Sequence, residues 1–242
     1  MNAARLSRSG HKWLALIVGV QLVLWSVSGF YMVVLDLDFI HGDPLVRNLT
    51  PALKVTQPIV PPERLRSGRQ QISAIHLRAL PDDGAPVYEI VTTTGSELVD
   101  AHSGKSISPL SRARIMDLAR AYYAGKGAIE RVDLLTRAAE KPTELQTQPL
   151  PLWRVDFDDW LETSLYVQPD TGRLVTRRHR FWRWFDFLWS LHIMDYQDRT
   201  DVNNWLLRIA TALGLITAIT GLWLTFFSFS FLQRKKKGRS RP

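Results

Sequence analysis

Two long uncharged stretches bracket the chain. Trp13 to Leu35 reads WLALIVGVQLVLWSVSGFYMVVL, and Ile209 to Leu232 is a second such run with Arg208 at its edge. As a helix, the first would cover roughly 34 Å, enough for the hydrocarbon core of a bilayer. It lacks the short apolar region and small-residue cleavage site of a secretory leader, so it is expected to persist as a helix. Trp13 to Gly29 and Trp205 to Gly221 are equally spaced, and each glycine follows a hydroxyl residue, Ser28 or Thr220. The correspondence suggests a duplicated element. On helical spacing Ala15, Gly19 and Ser26 share a face, as do Ala210, Gly214, Ala218 and Gly221. Small residues so placed let helices pack closely in lipid, within one chain or between copies.

Between the runs the pattern shortens and becomes mixed, an α+β reading. PPERLRSGRQ opens a short helix, and ISAIHLRAL and PVYEIVTTTGSELVDA alternate as strands with turn residues between them. SPLSRARIMDLARAYYAGKG carries Ile115, Leu118, Ala119 and Tyr122 at helical spacing, with Gly125 and Gly127 as the expected stop. LPLWRVDFDDWLETSLYVQPDTGRLV is a second set of strands. VDAHSGKSI (Val99 to Ile107) aligns with VQPDTGRLV (Val167 to Val175); each is a hairpin whose glycine, Gly104 or Gly172, supplies the positive φ of the turn. The three acids of DFDDW, Asp156 to Trp160, read as a solvated turn.

Charge sharpens the picture. The 242 residues hold 31 Lys+Arg against 23 Asp+Glu, a net of +8. The bases gather at the ends, in Arg5, Arg8 and Lys12 and in RKKKGRSRP, each block flanking an apolar run. That pattern points to a lipid bilayer as partner and away from nucleic acid. The inner flanks carry Asp36, Asp38 and Asp43, then Asp195, Asp198 and Asp201, and basic flanks orient spans toward the cytoplasm. Both termini are therefore expected inside. The expected division is a tail at 1–11, a span at 12–35, an outer domain at 36–178 with repeats near 58–108 and 109–176, an interfacial helix at 179–197, a span at 204–232 and a basic tail at 233–242. With no cysteine, disulfides, thiolate zinc, iron–sulfur clusters and C-x-x-C-H haem attachment are excluded.

WRWFDFLWSLHIMDY, Trp182 to Tyr196, sets one histidine among aromatics. On a helical wheel Arg183, Asp186 and Ser190 form one narrow polar face, and His192 falls about 180° away among Phe181, Phe185, Leu188 and Trp189. Such a helix suits the outer head-group layer. A buried imidazole needs a partner, a backbone carbonyl of another helix or a metal. Among the other histidines, His76 and His102 fall in strands or turns, and His41 and His179 read as solvated interfacial residues. His11 opens the first span.

The paired hairpins, each preceded by a strand led by Tyr88 or Trp153, resemble the PepSY domain. The flanking H-K-W-L-A and L-H…W-L…T-G-L-W patterns resemble the PepSY-associated transmembrane family over nearly the whole chain. The resemblance implies a bacterial inner-membrane protein with a periplasmic domain of two PepSY-like α/β-hairpin repeats between two spans. Longer members include reductases that take iron from ferric siderophores through b-type haems, with histidines near helix ends as axial ligands. By this resemblance His11 and His192 are the candidate haem-iron ligands, and His41 and His179 are alternative partners for His192. His11 and His192 lie about 30 Å apart across the bilayer and cannot share one haem. A homodimer would supply four helices and pair each histidine with its copy.

No nicotinamide-binding G-x-G-x-x-G and no hydrolase motif is present, so an electron-transfer subunit would draw on an external donor, a quinol or another membrane protein. The competing expectation is a non-enzymatic anchored module that binds a protein, resembling the inhibitory segments of secreted peptidases, or a structural subunit of a larger transporter assembly.

Overall fold

The computed structural model describes residues 3–49, 51–66, 72–145 and 148–239, with side chains from 9 to 226. The basic side chains at 5, at 8 and after 232, and the end of PPERLRSGRQ, lie outside the described residues. The chain divides into two units, Met1–Leu35 with Phe185–Pro242, and Asp36–Trp184.

The first unit is helical. α1 (Ala3–Val34) and α6 (Trp205–Arg239) run antiparallel, His11 meeting Thr220 and Val18 meeting Gly214. Both contain stretches long and apolar enough to cross a membrane, Ser9–Val34 and Trp205–Phe226. Little of either is covered by protein: Trp13, Phe30, Leu222 and Phe226 are all more than 60% exposed. A core helix of a soluble protein would hide such a surface. The covered seam on α1 runs through His11, Leu14, Val18, Gln21, Trp25 and Ser28, and that on α6 through Ala210, Gly214, Thr217 and Gly221. These are the three- and four-residue steps of a helix-packing face. The small-residue faces expected from sequence are therefore only partly used. Gly214 packs on Val18, whereas Gly19 faces open space and Ala218 is exposed.

The second unit begins with α2 (Leu37–His41), started by the Asp36 carboxylate, which accepts from the Phe39 amide at 2.9 Å, and stopped by Gly42 at φ 78°. After α3 (Pro62–Leu65) come β1 (Ile72–Ala79), β2 (Pro86–Thr92) and β3 (Ser96–Asp100), an antiparallel sheet in that order. α4 (Arg112–Tyr122), capped by Ser111, leads to a second antiparallel sheet of β4 (Ala128–Leu135), β5 (Leu152–Asp158), β6 (Ser164–Val167) and β7 (Leu174–Arg178). α5 (Arg180–Ile193) follows, and the boundary between the units falls within it.

One core joins the two sheets. Ile115, Leu118 and Ala119 of α4 pack with Leu80, Val87 and Leu98 on one side and Val155, Phe157 and Leu165 on the other. Burying this apolar surface is what holds the sheets to α4. Glu89 of β2 adds a polar tie. It is 4% exposed and accepts from Arg78 at 2.7 Å and from Arg173, in the turn before β7, at 2.9 Å. Burial would raise its pKa, but the two guanidinium groups outweigh that and hold the carboxyl below the usual range.

The two hairpin turns close alike. Gly104 (φ 70°) and Gly172 (φ 63°) donate to Asp100 and Gln168, and those residues in turn donate to Lys105 and Arg173. At Gly172 an added Cβ would lie 2.7 Å from a Leu118 methyl, so the turn needs glycine for room as well as for φ. Gly125 and Gly127 have another role than the expected helix stop. α4 already ends at Tyr122, and Cβ atoms there would lie 2.3 Å from the Tyr123 hydroxyl and 2.5 Å from the Asp158 carbonyl. These glycines let the Tyr123 ring and β5 approach.

Candidate functional site

α5 ends in the first unit with its last carbonyls tied to its neighbours. The Trp25 indole of α1 donates to His192 O at 2.8 Å, and the Asn204 amide, ahead of α6, donates to Ile193 O at 2.8 Å. Helix ends leave such carbonyls without intrahelical partners; here both flanking elements supply them, and the backbone at His192 is fixed. Two residues of the narrow polar face, Asp186 and Ser190, are buried. Asp186 (4% exposed) forms an ion pair with Arg199, Ser190 is buried, and Trp184 and Phe187 lie outward. A carboxylate can be buried when an arginine from the following loop meets it.

The His192 ring sits between two tryptophans, stacked with Trp189 (6.4 Å between centroids) and tilted against Trp25 (6.5 Å). Its Nδ1 lies 2.8 Å from Ser28 Oγ of α1. Beside Ser28, Gly29 lies next to the ring, and an added Cβ would stand 3.8 Å from the imidazole Cε1, an ordinary contact. The same arrangement recurs at the other end of the helix pair. His11 Nδ1 lies 2.8 Å from Thr220 Oγ1, and a Cβ on Gly221 would stand 3.3 Å from His11 Cε1. Among the described residues neither Nε2 has a hydrogen-bond partner. From His11 to Ser28 the helix advances about 25 Å, so the two imidazoles mark opposite ends of the span.

Sequence reading had singled out both histidines and both hydroxyl–glycine pairs, but not that each histidine meets the pair of another helix. Their equal offset from Trp13 and Trp205 was the available signal. Trp25, the second wall around His192, was missed because it comes from a different element.

His41 is exposed at the end of α2. His179 departs from the expected solvated role: it is fully buried, against Phe39 (5.1 Å) and Phe181 (6.3 Å). Its Nε2–H is shared between the carbonyls of Phe39 (2.9 Å) and Ile40 (3.1 Å), and its Nδ1 is buried with no partner. An imidazole so engaged must release the end of α2 before it can reach a metal. Burial holds its pKa below the ordinary value, although the two carbonyls favour the charged ring. The unfolded chain therefore takes up its proton first. Stability is full above the ordinary histidine pKa of about 6.5 and is lost as pH falls through the lower folded value. Thermal midpoints measured between pH 7.5 and 5 should fall, and His179→Gln should flatten that slope; an equally steep slope in the variant would refute the assignment.

A half-open cavity of about 430 Å³ in the second unit is lined by Glu130, Arg154, Asp156, Asp158, Arg180 and Arg183, among others. Many of its charges are already paired. Asp156 meets Arg154 at 2.7 Å and Ser164 at 2.6 Å, and Arg183 meets Glu144 at 2.6 Å and Ser164 at 2.8 Å. Asp159 is not the solvated turn residue expected. It accepts from the Tyr123 hydroxyl at 2.5 Å and from the Thr163 amide and hydroxyl at 2.9 and 2.7 Å. Burial, with the Asp159 carboxylate, pushes the Tyr123 phenol up to about 12. Among the described residues no group of three or more His, Asp or Glu stands ready to hold a metal ion.

Comparison with known proteins bears on the whole chain. The family model described as PepSY-associated TM region matches residues 8–241. No curated protein matches the chain, and no solved structure matches it. The match takes in both apolar helices, both hydroxyl–glycine pairs and the domain between them, and so the chain belongs to the PepSY-associated TM region family, a family of membrane proteins.

Proposed function

We propose that this membrane protein is a haem-binding electron-transfer subunit, acting in the reduction of ferric siderophores or a related iron source. In this reading it lies in a bacterial inner membrane, with both termini cytoplasmic and the domain between the helices periplasmic; the basic outer flanks support that direction. The observation that carries the reading is the pair of imidazoles at opposite ends of the helix pair, each held through Nδ1 with Nε2 left over. Neutral imidazole nitrogen is a common axial ligand of haem iron, and an apolar wall tunes the potential of the iron. Haem would supply the one-electron carrier.

The residues fit one axial position at each end and not two. A second copy of the chain would complete each site, His11 pairing with the partner's His11 and His192 with the partner's His192. Trp25 and Trp189 would then wall the outer site, and Ser28 and Thr220 would orient the rings. Two sites about 25 Å apart would place carriers near both faces of the bilayer, in position to pass electrons outward from a quinol or another membrane protein.

Light scattering coupled to size exclusion in detergent, with the absorption spectrum read on the same peak, tests this directly. A dimer carrying a Soret band is expected; a colourless protein from haem-supplied cells would end the reading. A second reading, an anchored module that binds a protein or peptide outside the membrane, is favoured by the charged cavity beside β5 and β6. It predicts that the isolated protein is colourless.

A further inference from the structure

We infer that Ser28 and Thr220 are positioning residues that fix which nitrogen of His192 and His11 carries the proton. The number of hydroxyl protons decides the tautomer. Ser28 Oγ lies 2.7 Å from Leu24 O and 3.2 Å from Trp25 O, besides its 2.8 Å contact with His192 Nδ1. A hydroxyl has one proton, and a carbonyl can only accept. If the hydroxyl donates to its own helix, the contact with His192 needs an N–H at Nδ1. If Nδ1 is bare, the hydroxyl must turn its proton to the ring and abandon the carbonyl. The first arrangement makes one hydrogen bond more than the second.

Thr220 repeats the logic. Its Oγ1 lies 2.8 Å from Ile216 O and 3.0 Å from Thr217 O, and 2.8 Å from His11 Nδ1. Both rings are thereby held as the Nδ1–H tautomer, the one that a solvated histidine side chain favours less. In both, Nε2 is the lone-pair nitrogen. Fixing the tautomer and the ring plane through the far nitrogen is how second-shell groups prepare an imidazole for a metal. The glycine after Thr220 also gives its histidine room. At Gly221 a methyl group would press on the His11 ring at 3.3 Å, while at Gly29 the distance of 3.8 Å is ordinary contact.

The purpose assigned to this tautomer rests on the haem reading; the tautomer itself does not. Nitrogen-15 spectra of histidine-labelled, haem-free full-length protein in detergent or nanodiscs report the protonated nitrogen of each ring, assigned with His11→Gln and His192→Gln. Both rings should be Nδ1-protonated. Ser28→Ala should release His192 toward the Nε2–H tautomer and leave His11 unchanged. Thr220→Val should do the reverse, and Ser28→Thr should restore the wild-type signal. Where haem is added, Ser28→Ala should weaken its binding at the His192 site by about 10–100-fold, and Ser28→Thr should recover it. An Nε2–H signal for both rings in the wild type, or spectra that Ser28→Ala and Thr220→Val leave unmoved, would overturn the inference. A wild type that never takes up haem would sink the functional reading instead, while the tautomer result would stand by itself.

Discussion

If haem binds as proposed, replacing His192 with alanine is expected to halve the haem content of the purified protein without dissociating the proposed dimer. If each pair of equivalent histidines binds one haem, a dimer holds one haem at each end of the helix pair. His192→Ala empties the outer site only. His11→Ala should empty the inner site only, and the double variant should be colourless. The separation of about 25 Å makes the two losses independent, because neither ring reaches the other's site. The fold should tolerate both changes. His192 is only half-buried, and the Trp25 and Asn204 bonds that hold the end of α5 run to backbone carbonyls, which alanine retains. Pyridine haemochrome assay against protein concentration measures the ratio. If His192→Ala keeps the full complement of haem, another residue is the ligand.

The largest stability loss is expected from Glu144→Ala. Glu144 is buried and accepts from the fully buried Tyr166 hydroxyl and from Arg183, at 2.6 Å to Nε and 3.3 Å to Nη2. Its backbone carbonyl also receives Arg178 at 3.1 Å, but that bond survives the change. Removing the carboxylate strands a phenol inside the core and leaves Arg183 with only Ser164 and Glu162 for company. Breaking one side of a buried pair costs about 3 kcal/mol. Glu144→Gln, which still accepts from Tyr166, should cost about half as much, since it loses the charge and keeps the acceptor. Tryptophan-fluorescence melts of the full-length protein in detergent should rank wild type above Gln above Ala. A melting point unchanged in Glu144→Ala would show that the network contributes nothing.

What the sequence disclosed, and what it hid, follows from whether the signal was local. The apolar helices were legible because a bilayer demands a long uncharged run, and the chain has two. α4 was legible from Ile115, Leu118 and Ala119 on one face, and the hairpins from Gly104 and Gly172. β4 went unseen. It is an edge strand with Glu130, Arg131 and Asp133 among its apolar residues, and its pairing register shifts between Ile129 and Arg131. That breaks the two-residue alternation by which strands are recognised, although such charges are what an exposed edge requires. What the polar face of α5 meets was not legible for a different reason. A wheel shows which residues share a face but not what faces it, and Arg199 beyond the helix turned Asp186 inward. His179 was hidden likewise: its neighbours, Phe39 and Ile40, are distant in sequence. The partners of His11 and His192 were in plain view as a repeated motif, yet only the antiparallel packing of α1 and α6 and the placement of α5 bring hydroxyl and imidazole together.

The central claim is that each imidazole presents Nε2 to iron and that a second copy completes the pair. Low-temperature electron paramagnetic resonance of the oxidised, full-length protein in detergent tests it most directly. Low-spin ferric signals of bis-imidazole haem are predicted, one lost in His192→Ala and the other in His11→Ala. A silent spectrum, or a high-spin signal from iron bearing a single protein ligand, would contradict it.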